Sequence, residues 1–229
     1  MSTNPWAWSI GASDAKALIA GDLPHLAAMV RGERPRPTPA ETAAASAAAL
    51  RAKGAVRVSE DNLELALLIG AALEPLHEEW FTRRTGLRVQ GQQQRVRHRS
   101  YPLHATLDGM VEIGGTWLPW EAKTTSPHMT LPALIAREAP QLQAQMLCLG
   151  APAAVVSVLW RTPKWEAVVV EEDDVLQAEI LDRLDLLALH IEQGTEPPTL
   201  PPFPVPTPRR RPLAVAPACI PETADNLLT

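Results

Sequence analysis

Apolar residues fall in blocks whose period changes along the chain. Residues 13–20 (SDAKALIA) read as a short helix, with Ser13 suited to the N-cap and Gly21 to the C′ position. A Pro-rich, basic connector follows at 31–38. Thr38-Pro39-Ala40-Glu41 then forms a capping box with proline at N1. It opens an Ala-rich helix that stops near Gly54. Between 60 and 85, Leu63, Leu67, Gly70, Leu73 and Leu76 recur near helical spacing. They predict one long helix or a kinked pair, with Pro75 as the interruption and Gly86 as the end.

Beyond Gly86 the period shortens. Arg88 to Ser100 looks extended, and strand period puts Arg95, Arg97 and Arg99 on one face. Two runs follow, Ala105–Ile113 and Thr116–Lys123, separated by the hairpin signal Gly114-Gly115. Residues 139–149 read as a helix. Ala153–Trp160 reads as a buried strand, and Trp165–Val170 as its hairpin partner. Glu171–Gln193 is an amphipathic helix, acidic at its start and closed by Gly194. From 196 onward proline dominates, so 196–229 is expected to be a disordered tail outside the fold. The element order predicts one mixed α/β domain over 1–195, a central sheet flanked by helices.

Composition narrows the picture modestly. The chain has 229 residues, 46% of them apolar, which suits one domain with a sizeable core. Its two cysteines, Cys148 and Cys219, form no CxxC pair, which excludes a zinc ribbon or a four-cysteine cluster and fits a reducing cytoplasm. Cys148 sits in an apolar run and reads as a small buried hydrophobe. The N-terminal segment lacks the pattern of a signal peptide, and no uncharged apolar run is long enough for a membrane span. A soluble, cytoplasmic protein is expected. The net charge of −5 means that any nucleic-acid contact must rest on locally concentrated basic residues.

The segment with chemical content is Asp108-Gly109 followed by Glu121-Ala122-Lys123. Glu121 and Lys123 leave one strand face, while Trp120 and Ala122 leave the other, toward a core. If Gly114-Gly115 closes a hairpin, Asp108 lies beside Glu121, and two carboxylates and an ammonium converge. Carboxylate oxygens hold a hard cation such as Mg²⁺, and a lysine offsets charge on phosphate oxygens. The same residues would also serve as an ordinary turn and a solvated strand, and carboxylates on strands do not select DNA over other phosphate esters. Thr106, on the expected face of Asp108, is a candidate phosphate contact. So are Arg95, Arg97 and Arg99, whose alternative role is a solvated edge strand.

Five segments, in order, extend this reading: IGASDAKALIAG (10–21), GAALEPLHEEWFTRRTGLRV (70–89), HATLDGMV (104–111), WEAKTTSP (120–127) and QLQAQMLCLGA (141–151). Together they resemble the YqaJ-type viral recombinases of the PD-(D/E)xK nuclease superfamily, the group of phage lambda exonuclease. The resemblance implies a PD-(D/E)xK, restriction-endonuclease-like fold, with Glu74, Asp108 and Glu121 as metal ligands and Lys123 as the catalytic lysine. Gln141 matches the glutamine of the QxQ helix, a backbone- or phosphate-contacting position, and Gln145 follows one turn later. Ser13 matches a serine near the terminal phosphate of a DNA strand. The implied cofactor is Mg²⁺, for which Mn²⁺ can substitute. The implied activity is a 5′-to-3′ exonuclease on double-stranded DNA ends in phage-type recombination, encoded by a phage or prophage. A single-strand annealing protein as partner and a ring-shaped homo-oligomer are also implied. The family's phosphate-binding arginine before the serine has no counterpart in Trp6-Ala7-Trp8-Ser9. A restriction- or repair-like endonuclease, and a non-catalytic DNA-binding module, stay open as alternatives.

Overall fold

The computed structural model describes residues 6–34 and 72–213, with positions 38, 41, 44, 48, 65 and 68–70 between them. A short strand β1 (Ile10–Gly11) leads through a 3-10 turn (Ala12–Asp14) into α1 (Ala15–Ala20) and α2 (Leu23–Val30). Then come α3 (Glu74–Thr85), β2 (Arg95–Arg97), β3 (Leu103–Thr106), β4 (Gly109–Ile113) and β5 (Thr116–Thr125). The chain continues through α4 (Leu131–Leu149), β6 (Ala153–Trp160), β7 (Trp165–Glu171), α5 (Asp174–Glu192) and β8 (Arg210–Pro212).

The main sheet has the order β4-β5-β6-β7-β8, and a small sheet has the order β1-β3-β2. Within the main sheet β5 and β6 run parallel and the other neighbours antiparallel. A parallel pair needs a crossover, and α4 supplies it. The β4–β5 hairpin closes on two residues, Ile113 facing Thr116, with Gly114 and Gly115 both at positive φ (60° and 79°). That is the turn a right-twisted hairpin favours, and only glycine adopts it twice at low cost. Pro119 has no N–H to give, and β6 begins pairing one residue later, at Trp120.

Three apolar clusters fix the layers. One lies between α4 and the main sheet, around Leu134, Leu142, Val156 and Val158. The second covers the opposite sheet face, where Phe81 of α3 meets Trp120 and Trp165 edge-on. The third joins α1, α2, α4, α5 and the small sheet. The expected mixed α/β domain with a helix-flanked sheet is therefore present.

Several boundaries differ from the sequence reading. Helix α4 starts at Thr130, whose hydroxyl accepts from Ala133 N–H, and runs through Pro140. The expected start was 139; Ala139 and Pro140 are both buried, and packing carries the helix through the proline. Pro75 falls in the first turn of α3, and the chain breaks at Leu73, giving the interrupted alternative. The capping box at Thr38 and Glu41 forms, with the Thr38 amide and hydroxyl on the Glu41 carboxylate and the Glu41 amide on the Thr38 hydroxyl. Most of the Ala-rich helix it opens, and Leu63 and Leu67, lie outside the described residues.

The expected tail needs a correction. Residues 196–213 are part of the fold. Leu200 and Phe203 donate to Gly21 O and Ile19 O, and Leu200, Phe203 and Val205 pack on the third cluster. β8 adds a strand to β7, and Leu213 is buried in the second cluster. Proline content misled here because an extended segment without helix or hairpin can still dock through its remaining amides, its carbonyls and its side chains. Residues 214–229 lie outside the described residues, Cys219 among them.

Candidate active site

Asp108 sits in the bend between β3 and β4, at the seam of the two sheets. Continuing the β4–β5 register, in which Gly109 faces Trp120, sets it beside Glu121. Its Oδ2 accepts the Ala122 amide at 3.0 Å. Gly109 is needed for this bend: a Cβ there would stand 2.2 Å from Val89 Cγ1 and 3.5 Å from Trp120 Cε3. The run Ala105–Ile113 is thus two strands in different sheets, and the period-two argument linking Thr106 to Asp108 does not cross the bend.

Glu121 and Lys123 share the β5 face that looks at α4, as strand period predicts. Glu121 is 2% exposed. A carboxylate so deep needs several donors, and it has three. Lys123 Nζ lies 2.6 Å and Gln141 Nε2 2.7 Å from Oε1, and Gln145 Nε2 lies 2.6 Å from Oε2. Gln141 and Gln145 stand one turn apart on α4, with Glu138 on the same face. Gln141 thus positions Glu121. Gln145, a polar position that the sequence left ambiguous, does the same work.

Electrostatics bind the group together. Burial pushes the Asp108 carboxyl up to about 7, helped by the charge of Glu121 and less by Glu74, against the Ala122 amide and Lys123. Glu74, exposed in the first turn of α3, is therefore close enough to act on Asp108 through its charge. Burial works to lower the Lys123 pKa, but the charges of Glu121 and Glu138 outweigh it and hold it raised. Lys123 is thus a permanent ammonium near neutral pH, a donor and not a base.

The donor set is oxygen only, which suits a hard divalent cation. Asp108 and Glu121 hold each other's charge at unfavourable closeness, and a cation between them would relieve it. No trio of Asp, Glu, His or Cys among the described residues is grouped tightly enough to enclose an ion alone.

The remaining expected contacts are less closely gathered. Ser13 is exposed within the 3-10 turn and caps nothing; Asp14 precedes α1 and its carboxylate accepts the Gly11 amide. The expected N-cap at Ser13 is corrected, because the turn is capped two residues earlier, at Gly11. Arg95 and Arg97 are exposed on β2, the edge of the small sheet, with Arg95 opposite Thr106. Directly opposite residues share a face, so Arg95 and exposed Thr106 stand together. Arg99 lies past the end of β2, and the three-arginine stripe is reduced to two. Among the described residues none of the three arginines makes an ion pair. Sequence reasoning missed Glu138 altogether; a helix extended through Pro140 would have placed it one turn before Gln141.

Solved structures give the comparison. The chain superposes on a phage-related exonuclease from Haemophilus somnus 129PT with a TM-score of 0.57, at 11% identity over 82% of this chain and 96% of that one. An alkaline exonuclease (LHK-Exo) from Laribacter hongkongensis gives a TM-score of 0.53, at 19% identity over 81% and 89%. The chain has the fold of these exonucleases. It is the fold expected from the PD-(D/E)xK resemblance. No protein-family model matches the sequence, and no curated protein matches it. Among the described residues no helix is long and apolar enough to cross a membrane.

Proposed function

We propose that this chain is a Mg²⁺-dependent deoxyribonuclease that degrades double-stranded DNA from its ends, 5′ to 3′. The observation that carries the reading is the convergence of Asp108, Glu121 and Lys123 at one point of an exonuclease fold. Solved exonucleases of that fold support the reaction class, and the five sequence segments support duplex ends and polarity.

Asp108 and Glu121 would hold the metal, with Glu74 adding negative charge from α3. When bound, the cation polarises the phosphodiester and makes water a better nucleophile. The chain's own residues do the rest. Gln141 and Gln145 fix both oxygens of Glu121, so the carboxylate presents one orientation. Lys123, held charged by Glu121 and Glu138, offers an ammonium to the phosphate oxygen on which charge grows. The apolar walls of β5, β6 and α4 keep bulk water from screening these charges. Arg95 and Thr106, together on the small sheet, are suited to hold backbone phosphate. Mn²⁺ should replace Mg²⁺, and a ring-shaped oligomer and a strand-annealing partner remain part of the proposal through the resemblance.

The test is one gel. Linear duplexes, with and without a 5′ phosphate, and supercoiled circles are incubated with the protein, with and without Mg²⁺. The reading predicts metal-dependent loss of linear DNA and intact circles. Nicked circles would move the protein to an endonuclease. Binding without cleavage would leave a DNA-binding module.

A further inference from the structure

Glu138 touches the site without being one of its metal-binding or attacking groups. Its side chain is only 4% exposed. Lys16 of α1 donates to Oε2 at 2.5 Å, and Arg137 donates through Nε to Oε1 at 2.7 Å. Lys123 Nζ stands 3.6 Å from the same Oε2. These cations hold the Glu138 pKa down although burial works to raise it.

Three cations thus meet on one carboxylate. Lys123 has a nearer partner in Glu121. Among the described residues Lys16 and Arg137 have no carboxylate but Glu138, so this pair carries one positive charge in excess. One cation would suffice to balance a buried acid. The surplus faces outward, because the side chains of Lys16 and Arg137 are 39% and 51% exposed. Arg137 spends only its Nε on Glu138. Its two terminal NH₂ groups have no partner among the described residues, leaving the edge of the guanidinium that suits two oxygens at once. A buried acid therefore fixes two half-exposed cations in place, and fixed cations bind an anion without a further ordering cost.

We propose that Lys16 and Arg137, anchored by Glu138, form a phosphate subsite that receives a DNA backbone phosphate next to the one being cleaved. Lys16 and Lys123 approach the same oxygen of Glu138, so the subsite adjoins the reacting phosphate directly. The choice of DNA as the source of that phosphate rests on the nuclease reading.

The test measures binding, not turnover. Anisotropy of a labelled linear duplex is followed over a range of salt, without divalent metal, for the full chain and for Lys16→Gln, Arg137→Gln and the double variant. Glutamine keeps a hydrogen bond to Glu138 while removing charge, and thermal unfolding checks that each variant folds. Each single change should weaken binding about 3- to 10-fold and lower the salt slope by about one, and the double variant by about two. Lys164→Gln, at an exposed lysine paired with Glu166, should leave the slope unchanged. Unchanged slopes in both single variants and the double variant would overturn the subsite, even in a chain that cleaves DNA with Mg²⁺. Lowered slopes in a chain that never cleaves would keep the subsite and overturn the nuclease reading instead.

Discussion

Asp108 and Lys123 are both pushed toward their protonated forms, Asp108 by burial and the charge of Glu121, Lys123 by the charges of Glu121 and Glu138. Lys123 stays an ammonium because two carboxylates outweigh its burial. Lys123→Ala should therefore lower kcat by on the order of 10²–10³ while metal affinity changes little; equal loss of both, by turnover and calorimetry, would contradict its role. For Asp108 the same upward shift favours the neutral acid. Its carboxyl titrates at about 7 in the folded chain without metal, against about 4 in an unfolded one. An acid with a raised pKa adds stability that is complete below about pH 4 and lost as pH rises through 7. Metal-free Asp108→Asn should therefore gain Tm over the wild type as pH increases from 4 to 7. Mg²⁺ should narrow that gap by raising only the wild type. A gap independent of pH would sink the electrostatic account.

The β3–bend–β4–β5 unit is the element on which the site depends, and Gly109 is its tightest point. Gly109→Ala would force a Cβ to within 2.2 Å of Val89. Overpacking of this kind costs about 1–3 kcal/mol, and here it also shifts Asp108, so stability and cleavage should fall together. Retained Tm and full cleavage would show that the bend tolerates a side chain. Much of this unit was legible in the sequence. Glu121 and Lys123 share a face because strand period is two, and Gly114-Gly115 closes the hairpin that brings Asp108 alongside. The hidden part is where residues depend on distant packing. Asp108-Gly109 reads as a turn, but nothing local says that the strands on its two sides join different sheets. Glu138 falls one residue before the helix expected from sequence, and only the burial of Ala139 and Pro140 shows that the helix runs on through the proline to Leu131. Gln145 looks like any polar helix position until Glu121 is placed against it.

The molecule as a whole is closed by the segment after α5. Arg183, 5% exposed, donates to Leu18 O and Ile19 O and also to Pro201 O, which joins α5, α1 and the incoming strap. Gly21 allows the close passage, since a Cβ there would meet Leu200 O at 2.0 Å. Removal of 196–229 would strip Arg183 of a buried acceptor and expose the β7 edge. The shortened chain should lose at least about 5 °C in Tm or become insoluble, and an unchanged Tm would return this segment to the status of a tail. At this scale the proposed function reduces to one claim, that Asp108 and Glu121 form the metal-dependent centre of a nuclease. The most direct measurement is release of nucleotides from a linear duplex with Mg²⁺ by the wild type, Asp108→Ala and Glu121→Ala, each verified as folded by circular dichroism. The account predicts metal-dependent release by the wild type and none by either variant. Undiminished release by both would contradict it.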